Sequence, residues 1–233
     1  VLREKRNFAP WPVRARGLSK IGRALGWRAV TGEGKAWADA LAGRVAHWTT
    51  ELFAPQVLVI ALPPVVGLLA RGWAGAAWGL VASLLCGGVP ATVIALGVRA
   101  GRLDSRHLVD RSRRTVPLLS ALLAVVATLV LLVLLGAPTL LVATVTAMLA
   151  ALAVTVPVTL RWKISFHAAV SAGTVVVFAH VLPPPPTVVT GAALVALICW
   201  ARVRLTHHTP AQVVAGALAG VGTAWPTLAA FGL

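Results

Sequence analysis

Acidic residues are nearly missing from this chain. Its 233 residues hold six Asp and Glu against 21 Lys and Arg, and no carboxylate side chain follows Asp110. That absence excludes a carboxylate proton relay in the later apolar segments, where such groups mark ion pathways. It equally excludes a carboxylate metal site built wholly from the C-terminal half. Cysteine is scarce too. Cys86 and Cys199 both fall inside long apolar runs, and they read as small core residues rather than a disulfide or metal pair. Charged residues make up 12% of the chain, about half the share of an ordinary soluble domain. So little polar surface does not cover a water-soluble globule. Period-2 alternation with polar residues is also missing, which argues against membrane-spanning strands. Residues 1–35 carry no apolar stretch of the kind that precedes signal cleavage, so the first spans are expected to act as their own insertion signals.

What is present is long, apolar and helical in pattern. Hydrophobic residues make up 58% of the chain, and several uncharged runs reach the roughly 20 residues that span a bilayer. Residues 1–35 hold nine of the 21 Lys and Arg residues, together with Pro10 and Pro12. This composition predicts a segment that is poorly ordered or lies on anionic headgroups. Trp37, Leu41, Val45 and Trp48 recur at helical spacing and predict an interfacial helix over 36–51.

Seven apolar segments come next, near 52–70, 72–98, 116–135, 138–160, 165–182, 187–201 and 210–233. The break between the third and fourth is Gly136-Ala137-Pro138. The fifth ends at Pro183–Pro186. The expected fold is therefore an all-α, polytopic membrane bundle of about six to seven transmembrane helices. Residues 1–50 form its basic N-terminal segment and 51–233 the membrane domain.

Numbering the links from the N-terminus places 20 of the 21 Lys and Arg residues on one face, Arg71 being the exception. The positive-inside rule makes that face, and the N-terminus, cytoplasmic in a multi-pass cell-membrane protein. Basic residues lying between spans point to anionic lipid and a phosphorylated substrate as partners, not to nucleic acid. The oligomeric state is not legible.

Four of the six histidines gather at this face: His107, His167, His207 and His208. His47 reads as a surface residue of the interfacial helix, and His180 as a structural or interfacial residue at the opposite end. Segments three, five and seven all begin at the histidine-bearing face. Each directs free N–H groups and a positive dipole end toward it. Ser165 is an expected N-cap. Thr209-Pro210-Ala211-Gln212 reads as an N-cap, a proline at the first helical position and a capping-box glutamine. Helix starts beside arginines make an anion site. A positive-inside loop set alone explains the arginines but not the histidines.

At these residues the chain resembles the type 2 phosphatidic acid phosphatase superfamily, whose motifs are written K-x6-RP, PSGH and SR-x5-H-x3-D. The third is matched by Arg202, His208 and Gln212, with Ala201 at the serine and Gln212 at the aspartate position. Val213-Val214-Ala215-Gly216 is similar to the stretch just after that motif in the family. The second is matched by Ser165 and His167, with Phe166 at the glycine position. The first is loosest: Arg114 and Pro117 stand near RP, and His107 stands where lysine is expected. Asp104, His107, Arg111 and Arg114 together resemble a bacterial variant. The likeness covers roughly residues 50–230.

The resemblance implies hydrolysis of a lipid or prenyl (di)phosphate through a phosphohistidine. His208 would be the nucleophile, His167 the general acid and Gln212 the residue orienting His208. Arg114, Arg202, Ser165, His107 and Arg111 would hold the phosphate, with no metal or other cofactor. Two alternatives differ in kind. A prenyl-diphosphate lyase or transferase on the same scaffold would use Mg²⁺ held by Asp104 and Asp110. A non-catalytic lipid-binding homologue is suggested by the departures at Gln212, Phe166 and Ala201.

Overall fold

The computed structural model describes residues 27–101 and 115–233. Two compact units divide the chain, Val1–Gly43 and Arg44–Leu233. Among the described residues every regular element is a helix. Helix α1 (Trp27–Leu52) contains the predicted interfacial segment but begins nine residues earlier, so 27–35 are helical rather than irregular. Its periodic residues Trp37, Leu41, Val45 and Trp48 are all exposed.

Next comes a largely helical run of 45 residues, Pro55–Arg99. Straight, it would be about 68 Å long, more than twice the ~30 Å hydrocarbon core. It is not straight. At Arg71-Gly72 the backbone leaves helical geometry, with Gly72 at φ +61°, a region that costs glycine nothing. The chain folds back there, so α2 (Pro55–Ser83) has two antiparallel arms, 55–70 and 73–83. Gly67 and Gly75 face each other across them, and Gly79 lies on the Pro63 carbonyl; none of the three contacts leaves room for a Cβ.

Pro64 has no N–H to offer the Ile60 carbonyl. The Ser83 hydroxyl donates to that carbonyl instead, at 2.6 Å. A π-helical turn, Leu84–Gly88, joins α2 to α3 (Val89–Arg99). It lies just before Pro90, which likewise cannot bond the Cys86 carbonyl four residues back.

Helices α4 (Thr115–Leu134), α5 (Thr139–Arg161), α6 (Phe166–Phe178), α7 (Pro184–Arg204) and α8 (Pro210–Ala230) complete the bundle. Gly136, at φ +68°, turns α4 into α5 as the Gly-Ala-Pro signal predicted. The proline run does not merely end the preceding segment. Pro184 to Pro186 form the first turn of α7, whose N–H groups would lack partners in any case.

Helices α6 and α8 pack most closely of all. Gly216 sits on the Ser165 carbonyl and Gly220 on the Ala169 carbonyl, again with no space for a side chain. Gly216, Gly220 and Ala224 form a small-residue stripe at spacing four, the arrangement that lets membrane helices approach.

The surface is that of a membrane protein. Among the described residues, five helical stretches are long and apolar enough to cross a bilayer. On α4 Leu119, Leu123, Val130, Val133 and Leu134 are exposed, an apolar surface that suits lipid, not water. Threonine hydroxyls bond backwards along their own helices. Thr128, Thr146 and Thr227 donate to carbonyls four residues earlier at 2.7–2.8 Å. Such pairing satisfies these three hydroxyls without water.

Candidate functional site

The site is assembled from two links and the helix ends beside them. The first link joins α5 to α6. Ser165 caps α6, its hydroxyl accepting from the Ala168 N–H at 3.4 Å. The Ser165 N–H donates to the Gln212 carbonyl at 3.2 Å. That bond ties the start of α6 to the first turn of α8. The missing Cβ at Gly216 allows the approach, since a larger residue would meet the Ser165 carbonyl. His167 comes next in the first turn of α6 and is buried.

The second link joins α7 to α8. Helix α7 ends in a Schellman turn. The Thr206 N–H bonds the Val203 carbonyl at 2.9 Å, and the His207 N–H bonds the Arg202 carbonyl at 3.1 Å. The His208 N–H joins the same Arg202 carbonyl at 3.2 Å. Thr206 occupies the left-handed position, φ +56°, that glycine usually takes. A β-branched residue there is strained, and strain of this kind gathers at functional sites. Arg202 itself is 8% exposed. Burying a guanidinium in a membrane bundle is costly, which makes Arg202 a candidate for the site.

Helix α8 opens as its sequence predicts. Thr209 is the N-cap, Pro210 the first helical residue, and Thr209 and Gln212 form a reciprocal capping box. Gln212 Oε1 accepts from the Thr209 N–H at 3.1 Å and also lies 3.3 Å from His208 Nδ1. The two bonds fix one another's chemistry. A backbone N–H only donates, so the glutamine atom facing it is the oxygen. An amide oxygen only accepts, so His208 Nδ1 carries the proton. A neutral His208 therefore presents its lone pair on Nε2. One oxygen thus meets both the capping N–H of Thr209 and the His208 ring.

These groups meet at a cavity of about 340 Å³. Lys163, His167, Arg202, His207 and His208 line it, together with an extensive apolar wall that includes Val59, Leu62, Met148, Leu152 and Val177. His208 is half-buried and His207 exposed, which separates the two adjacent histidines.

Of the residues expected at the site, His167, Arg202 and His208 line this cavity, and Ser165 and Gln212 brace its edge. Pro117, of the loosest motif, lines it as well. His107, Arg111 and Arg114, and the carboxylates Asp104 and Asp110, lie outside the described residues. Among the described residues no three His, Cys, Asp or Glu side chains come together as a metal site. His47 is exposed on α1. His180 is a structural residue: its Nδ1 lies 2.8 Å from the Val176 carbonyl and its ring edges Trp225.

Sequence reasoning misses Lys163 and Phe166 as wall residues. In the sequence Lys163 reads only as an interface marker, and Phe166 only as a departure from a motif. Their signal is position: Lys163 stands two residues before the Ser165 cap.

The fold and site define a helical, membrane-embedded protein with a cationic, histidine-bearing cavity. No family model, curated protein or solved structure matches the chain.

Proposed function

We propose that this protein is a membrane lipid-phosphate hydrolase related to the type 2 phosphatidic acid phosphatases. The observation that carries the reading is the meeting of His167, Arg202 and His208, from separate helix ends, in one cavity whose remaining wall is apolar. An amphipathic phosphate has the complementary form.

In the proposed reaction Arg202 and Lys163 hold the phosphoryl oxygens, and the helix starts at Ser165 and Thr209 add their dipoles. His208 Nε2 attacks phosphorus. The P–N bond forms as the bond from phosphorus to the lipid oxygen breaks, and His167 delivers a proton to that oxygen. Water then attacks the phosphohistidine and gives a proton to His167 as the P–N bond breaks, releasing orthophosphate and returning both histidines. Phosphoryl transfer needs mainly positioning and charge compensation, which this set supplies. Histidine titrates near neutrality, so one can be nucleophile while the other is acid. The site faces the cytoplasm in this reading, as the distribution of Lys and Arg requires.

The test is phosphate and pyrophosphate release from farnesyl and longer prenyl mono- and diphosphates and from phosphatidic acid. It is run on detergent-purified protein with and without EDTA, beside His208→Ala. Orthophosphate release that survives EDTA and disappears in the variant is the expected result. A folded protein that releases no phosphate from any of these lipids sinks the proposal. Pyrophosphate release that requires Mg²⁺ would replace it with diphosphate ionisation.

A further inference from the structure

The apolar part of the cavity has a definite depth and a solid end. On α6 its wall runs from Phe166 to Val177, and on α5 from Thr155 back to Thr144. Each stretch covers eleven residue steps, about 16 Å at ~1.5 Å per residue. The two helices run in opposite directions, so both put the same length between the end bearing His167 and the far end. That far end is closed. Leu62, Val177 and Ala224 line it and also belong to a buried core cluster, with Val66 and Leu228 fully buried in the same cluster.

About 16 Å is roughly half of the ~30 Å hydrocarbon core, the reach of one lipid chain through one leaflet. The volume, about 340 Å³, lies at the small end of the ~300–1,000 Å³ common for ligand sites. A space of this size and length suits one chain better than two side by side.

We infer that the cavity is a chain-length ruler that selects phosphates bearing a single hydrocarbon tail of about one leaflet's length, with Leu62, Val177 and Ala224 as its stop. This rests on the phosphate-binding reading of the cationic end. It goes further by naming the substrate's hydrophobic half. A tail in the bilayer is already in apolar surroundings, so the cavity gains little by removing it from water. Discrimination comes from fit. A chain that meets the stop must bend or displace core side chains, an overpacking cost that weakens binding by about tenfold or more.

The test uses saturated alkylphosphonates from octyl to eicosyl, and a two-chain glycerol phosphonate, with the full chain in lipid nanodiscs. Their phosphorus–carbon bond resists hydrolysis, so binding is measured without turnover. Affinity is expected to be greatest at an intermediate length, to fall about tenfold beyond it, and to be weak for the two-chain compound. Leu62→Ala, which deepens the stop, should move the optimum to a longer chain. Ala151→Phe, which fills the wall part-way down, should move it to a shorter one. Val177→Ala takes the place of Leu62→Ala if that variant does not fold. Equal affinity at every length, or an optimum that neither variant moves, overturns the ruler. If the optimum moves as expected while no lipid phosphate is hydrolysed, the ruler stands and the hydrolase reading falls.

Discussion

At the scale of single residues, the most informative atom is Gln212 Oε1. It accepts from the Thr209 N–H and sets the His208 tautomer. A glutamine can do that, but it cannot stabilise the imidazolium by charge. In serine proteases, neutralising the corresponding aspartate costs about 10⁴-fold, partly through the wrong tautomer. Here the tautomer is already correct, so Gln212→Glu should raise phosphate release by only about tenfold. Gln212→Ala should lose the orientation and the cap together, lowering kcat and costing about 1 kcal/mol of stability. Phosphate release and thermal unfolding of both variants check this. An Ala variant with wild-type kcat would show that Gln212 is a cap and nothing more.

Thr206 offers an independent check. Thr206→Gly relieves a left-handed residue and should stabilise the fold by about 1 kcal/mol. If the strained turn positions His208, the same variant loses activity as it gains stability. A gain in both would leave the strain without a catalytic purpose.

The cap, the tautomer partner and the buried arginine are legible in the sequence, because each depends on neighbours within four to six positions. Lys163 is not. What brings it to the cavity that Arg202 also lines is the packing of α6 on α8, which depends on contacts more than forty residues apart in sequence.

At the scale of elements, the site depends on how closely α6 approaches α8. The two links are held in register by the Ser165-to-Gln212 bond and by the glycine stripe beneath it. Gly220→Val would drive a side chain into the Ala169 carbonyl. It should cost about 1–3 kcal/mol and lower activity without touching a reacting group. Gly222→Ala is the control, since a Cβ there meets nothing. Unfolding and activity measured on both variants separate packing from chemistry. Equal behaviour of the two would remove the stripe from the account.

The sequence shows where these helices lie because apolar runs between charged links have few alternatives. It shows the helix starts well, through Ser165 and Thr209. It does not show that α1 starts at Trp27, since basic residues beside glycines carry no apolar period. Nor does it show the π-helical turn before Pro90, whose geometry arises from the lost backbone donor rather than from a pattern of side chains.

At the scale of the whole molecule, sidedness derives from charge and from the number of times the chain turns. The turns at Arg71-Gly72, Gly136 and the proline run alternate with the links that carry Lys163 and His208. Residues near Ala100 and Trp162 therefore belong to one face, and Trp73 and Leu135 to the other. All four are exposed in the fold. In a background with Cys86→Ala and Cys199→Ala, single cysteines at these positions should divide cleanly. Ala100→Cys and Trp162→Cys should resist an impermeant maleimide added outside intact cells and react once the cells are opened. Trp73→Cys and Leu135→Cys should react from outside. The reverse pattern would place the cationic face away from the cytoplasm, against the positive-inside bias of 20 in 21 basic residues. Hydrolysis could survive that outcome, but its substrate would then come from the outer leaflet. Mixed labelling within either pair would instead contradict the alternation of turns, and with it the convergence of His167, Arg202 and His208 on which the proposed chemistry depends.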